Sequence, residues 1–164
     1  MTAIDVMANT MAKNFEMLKM HLADFSDADM MVRPVPGANH AAWQIGHLLN
    51  FEIMSANLMG IPGAPAMPTP PTPKWYGKEG ASSDDASKFI KKDELLKLMT
   101  QSHGALVQWT RGLKPEDLSK PGPAEFKGFV DTVGDLVMGI TVHATMHIGQ
   151  FQVIRRKLGK KMLF

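Results

Sequence analysis

The chain contains no cysteine, which removes a disulfide framework, a thiolate zinc site, an iron–sulfur cluster and a cysteine nucleophile in one step. Any metal must be held by histidine or carboxylates. Long apolar runs are also missing: no stretch approaches the roughly 18 residues that a membrane span requires. The first twenty residues carry Asp5, Lys13, Glu16 and Lys19 at intervals, so the unbroken apolar core of a signal peptide is absent. The expected setting is therefore the cytoplasm, with no membrane partner. Neither charge sign dominates, with 18 Lys+Arg against 16 Asp+Glu, which excludes a disordered acidic tail and a broadly basic coat protein. The glycines form neither a Walker loop nor GxGxxG, and neither a GxSxG elbow nor a glycosidase-type pair of carboxylates is found.

What is present is helical. The 164 residues are 45% hydrophobic, enough for one core, and read as a single domain over 1–164. From Ile4 to Phe25, the residues Ile4, Met7, Met11, Phe15, Leu18, Leu22 and Phe25 recur at intervals of three and four, with Lys13, Glu16 and Lys19 turned outward. Pro34, Pro36 and Gly37 interrupt this pattern. Asn39 can then cap a second helix with an inner stripe of Trp43, His47, Phe51, Met54 and Leu58, ended by Gly60 and Pro62. Pro62, Pro65, Pro68, Pro70, Pro71 and Pro73 exclude helix from the next segment. A long extended loop over the bundle is expected, anchored by Trp75 and Tyr76, with a PxxP ligand as the alternative.

A third helix spans about Asp93 to Gly112, with Leu95 or Leu96, Met99, His103, Leu106 and Trp109 or Thr110 inside. A fourth starts at Asp131 or Thr132, runs to Lys157 and closes at Gly159, with Leu136, Ile140, His143, His147, Phe151 and Ile154 on its inner face. Four helices without alternating strand patterns or repeats predict an all-α four-helix bundle, its long Pro-rich connection lying between helices two and three.

The histidines carry the chemistry. His143 and His147 are four residues apart, about 40° and one turn apart on a helix, so both imidazoles can meet one ion. They lie on the apolar face, where an unpaired imidazole is costly to bury. His47 occupies the matching inward position of helix two and is the natural third ligand. Three neutral imidazoles leave coordination positions open, as catalytic metal sites do. Ordinary imidazoles would lose such a metal as pH falls through about 6.5. His40 lies two turns before His47 and is expected at the site's mouth. His103 reads as a packed core residue, with a fourth ligand or a proton shuttle as alternatives, and His21 is expected on the surface.

Trp43-Gln44-Ile45-Gly46-His47-Leu48 and His143-Ala144-Thr145-Met146-His147-Ile148-Gly149-Gln150 resemble the DinB/YfiT-like superfamily. That resemblance implies a four-helix bundle whose divalent metal is held by His47, His143 and His147, with water completing the shell and homodimers formed. Zinc or nickel is the implied ion, with iron, cobalt or manganese as alternatives. Relatives of this kind include bacillithiol and mycothiol S-transferases and a mycothiol-dependent isomerase. The leading expectation is thus a metal-dependent enzyme that passes a low-molecular-weight thiol to a small-molecule electrophile, with Gln44 and His40 as candidates for substrate contact or proton transfer. Gln150 is a candidate to support His147. The alternatives are a hydrolase using the same site and a non-catalytic metal-binding or small-ligand-binding stress-response protein. The basic cluster Arg155, Arg156, Lys157, Lys160 and Lys161 reads as a helix C-terminus favoured by the dipole rather than a nucleic-acid surface.

Overall fold

The computed structural model describes residues 1–68 and 73–163. Among them no strand occurs. The helices are α1 (Ala3–Leu22), α2 (Asp27–Met30), α3 (Ala41–Leu58), α4 (Lys92–Gly112) and α5 (Val133–Lys157). The expected all-α bundle is present, with its longest connection between α3 and α4.

Local chemistry explains the boundaries. Thr2 and Asp5 close a capping box that starts α1: the Asp5 N–H donates to Thr2 Oγ1 and the Thr2 N–H to Asp5 Oδ2. Thr132 and Asp135 start α5 in the same way, which selects Thr132 over Asp131. At the far end Gly159 takes φ +67, the left-handed conformation that terminates a helix without a Cβ penalty. Helix α1 stops at Leu22, short of the expected Phe25. Ser26 and Asp29 open the unforeseen α2 with a capping box of their own, and Phe25 is buried from the turn between the two.

Three further expectations are corrected. His40, not Asn39, caps α3, its Nδ1 accepting the Trp43 N–H at 3.1 Å. Met54 and Leu58, assigned to the inner stripe, are exposed, while Ile45, Leu49, Glu52 and Ile53 are buried. Because α4, α5 and the following connection cover it from several sides, α3 has no single inner stripe. His21 is buried rather than on the surface, with Nδ1 donating to the Met17 carbonyl at 2.7 Å. In α4 and α5 the inner faces fall as the periodicity predicts, the alternatives resolving to Leu95 and Thr110.

Helix α1 packs against α4 and α5, and α3 packs against the same two, placing α1 and α3 at opposite corners. This arrangement makes α3 and α5 neighbours. The connection after α3 folds back, as expected: Tyr76 is fully buried in the core with Leu49, Leu95 and Phe151. Pro70 and Pro71 lie outside the described residues. Of the basic cluster, Arg155 is buried and pairs with Asp24, while Lys160 pairs with Asp29.

Candidate metal centre

Helix α5 projects His143 and His147 from successive turns, with their Nε2 atoms 3.3 Å apart. Across the helix interface, the His47 ring lies edge-on to His143 at 4.9 Å between centroids and to His147 at 5.7 Å. One ring nitrogen from each of the three falls within 4.8 Å of the other two. This group can hold a metal ion.

The outer nitrogens fix how the rings are presented. His47 Nδ1 donates to the Tyr76 carbonyl at 2.9 Å, and His147 Nδ1 to Gln44 Oε1 at 2.8 Å. The Gln44 amide cannot be reversed without cost, because its Nε2 donates to the Asn39 carbonyl at 2.7 Å. With the proton held on Nδ1, each Nε2 keeps its lone pair, the tautomer that a metal ligand needs. The facing Nε2 atoms of His143 and His147 match a shared ion as well: two donors about 2.0–2.1 Å from a tetrahedral metal stand about 3.3 Å apart.

Electrostatics favour the neutral rings. Burial, reinforced by the neighbouring imidazoles, lowers His147 to about 3, and burial together with His47 lowers His143 to about 4. Burial also lowers His47, against its hydrogen bond to Tyr76. Rings held neutral in this way take up protons only below the ordinary imidazole range, so protons should begin to compete with a bound ion at a pH below about 6.5.

A family model described as the DinB superfamily matches residues 11–151. The chain belongs to the DinB superfamily. Among solved structures it is similar to the crystal structure of a conserved protein of locus from Enterococcus faecalis, at a TM-score of 0.70 and 18% identity, over 98% of this chain and 99% of that one. At that identity the likeness is one of fold. No curated protein matches the chain.

In this DinB-superfamily chain, Tyr76 supports the centre in a way the sequence did not disclose. Its ring lies directly on Gly46, where a Cβ would come within 1.9 Å of Tyr76 Cε1. Its carbonyl orients His47, and its hydroxyl accepts the Ile90 N–H at 3.0 Å. The next residue adds to this support, because the Gly77 carbonyl accepts from Trp43 Nε1, and the Trp43 indole stacks on His47 at 4.7 Å and 9°.

The remaining candidates are placed as follows. Gln44 is fully buried beside His147. His40 is also fully buried, not at the mouth; its Nε2 donates to the Ser83 carbonyl at 3.1 Å while Nδ1 caps α3. Gln150 is exposed on α5. His103 is a core residue outside the three-histidine group: Nδ1 donates to Glu52 Oε1 at 2.7 Å and Nε2 faces the Met11 carbonyl at 3.0 Å, with Phe15 stacked on the ring. Burial alone would depress His103, but the Glu52 carboxylate outweighs it and raises the pKa. Sequence reasoning passed over Glu52, which sits between apolar neighbours. The inward His103 on α4 was the available signal, since a buried imidazole calls for a partner.

Proposed function

We propose that this protein is a divalent-metal-dependent enzyme whose ion is held by His47, His143 and His147, and that it transfers a low-molecular-weight thiol to an electrophile. One observation carries the reading: two of the three histidines have their outer nitrogens committed to an amide or carbonyl oxygen, leaving inner lone pairs directed at one region between α3 and α5. Buried structural imidazoles also find such partners; what a ligand set adds is that ring nitrogens of all three meet within 4.8 Å of one another.

A bound divalent ion lowers the pKa of a thiol or water that it takes up, supplying a nucleophile at neutral pH that a chain without cysteine cannot supply as a thiolate of its own. Burial keeps the three rings neutral, and the Nδ1 bonds of His47 and His147 leave their Nε2 lone pairs available. Gln44 holds the His147 tautomer, and the Tyr76 carbonyl holds that of His47. We assign Gln44 and His40 positioning roles, since neither is among the residues lining the cleft beside the histidines. Phe51 and Val142 give that cleft apolar walls. Zinc or nickel suits the all-imidazole donor set, with iron, cobalt and manganese next. The homodimer implied by the family resemblance belongs to the same proposal.

The test is elemental analysis of protein purified without a metal-affinity tag, followed by a screen for thiol conjugation and ester cleavage. About one divalent ion per chain and conjugate formation are expected. His147→Ala should lose the ion and retain a helical circular dichroism spectrum. Full metal content in that variant refutes the ligand set, and ester cleavage without conjugation assigns the site to hydrolysis.

A further inference from the structure

His47 and His143 form one wall of an open cleft of about 430 Å³, within the range of small-molecule sites. Its other walls are Phe51, Phe129, Gly139, Val142 and Met146. None of these carries a charge. The apolar surface continues outward: Val142 is 50% exposed, Met146 61% and Phe129 78%. Large apolar side chains left in water around one opening mark a surface that a ligand covers. In the outer cleft, away from the histidine end where the proposed ion would sit, an anionic ligand body would surrender its hydration with no lining side-chain cation to replace it.

We infer that the cleft between α3, α5 and the Phe129 loop selects a small uncharged ligand with an alkyl or aryl body, seated on Phe129, Val142 and Met146 with its reactive atom toward His47 and His143. This assignment rests on the proposed metal site for its chemistry, but the cleft recognises the ligand body on its own. Low-molecular-weight thiols bearing several carboxylates are then poor occupants. The preferred substrate carries its bulk as hydrocarbon.

Two measurements separate the parts. In cobalt(II)-loaded protein, n-alkanethiols from ethanethiol to hexanethiol are titrated against 6-mercaptohexanoate, whose carboxylate is too far from the sulfur to close a small chelate ring, and read by the thiol-to-cobalt charge-transfer band. In metal-free protein, the n-alkanols from butanol to hexanol are titrated and read by the Met146 methyl resonance. Affinity should rise about fourfold for each added methylene in both series. Hexanethiol should outbind 6-mercaptohexanoate. Phe129→Ser, a change at an exposed position, should weaken hexanethiol about fivefold at unchanged cobalt content. If cobalt does not bind while the alkanols still show the chain-length gain, the metal reading fails and the cleft assignment stands. Affinity independent of chain length, or tighter 6-mercaptohexanoate, overturns the assignment. So does a Met146 resonance that shifts on protein dilution but not with alkanols, since a second copy of the chain would then cover the cleft.

Discussion

Replacing Gly46 by alanine tests the coupling between the Pro-rich connection and the metal centre. A methyl group there would lie 1.9 Å from Tyr76 Cε1, 2.1 Å from Cδ1 and 2.5 Å from Cζ. The contact is with the body of a buried ring, not a flexible tip, so Tyr76 must move. Its displacement pulls the carbonyl from His47 Nδ1 or the hydroxyl from the Ile90 N–H. Overpacking costs about 1–3 kcal/mol and an abandoned buried donor about 1–3 kcal/mol, offset by roughly 0.5–1 kcal/mol from alanine's better helix propensity. A net loss of about 1–5 kcal/mol lowers the melting temperature by roughly 2–20 °C in a protein of this size. Freeing the His47 ring should also weaken metal binding about 10–100-fold, read by competition with a chromogenic chelator. Gly104→Ala is the control: a Cβ at that exposed helical site meets nothing within 4 Å, so the variant should gain about 0.5–1 kcal/mol. In the Tyr76→Ala background, Gly46→Ala should cost almost nothing, because the obstructing ring is gone. Wild-type stability and affinity in Gly46→Ala, or an equal cost in both backgrounds, would refute the reasoning.

Other expectations follow from the polar contacts. Gln44→Leu strands His147 Nδ1–H and the Asn39 carbonyl; about 1–3 kcal/mol of stability and a 10–100-fold loss of metal affinity are expected with helicity retained, and unchanged affinity would show that the amide does not orient the ligand. The metal-free protein should lose stability on both sides of neutrality. His143 and His147 are depressed in the fold to about 4 and 3, so the unfolded chain takes up protons first, and their contribution, complete above about pH 6.5, disappears as pH falls toward those values. His103 is raised, so its contribution is complete below about pH 6.5 and is lost as pH rises through its folded pKa. Denaturant midpoints across pH measure both, and Glu52→Gln should flatten the alkaline side alone.

The bundle and the clustering of His47, His143 and His147 were legible because each depends on a periodicity. His143 and His147 share a face at any helix phase, and the inner faces of α4 and α5 follow directly from their three-and-four spacing. The same reasoning failed on α3. A helix covered from several sides has no polar face to set its phase, so Met54 and Leu58 were read as inward and Glu52 was overlooked. Contacts made by the main chain were equally hidden. No residue type at position 76 announces that its carbonyl will hold His47, and the burial of His21 and His40 depends on hydrogen bonds to backbone atoms distant from any motif. The short helix α2 lay below the length at which periodicity can be read.

Along α3, His40, Gln44, His47 and Glu52 each hold a directional bond, to the Ser83 backbone, to His147 on α5, to the Tyr76 backbone and to His103 on α4. Apolar surfaces tolerate sliding by one turn; these four contacts do not, since a 5.4 Å slip would break them together. They act as a longitudinal key that fixes one alignment of the helices. The hydrocarbon interior is thereby left free to vary: leucine, methionine and isoleucine can be exchanged over evolutionary time or in a redesign while the axial placement of the three imidazoles persists.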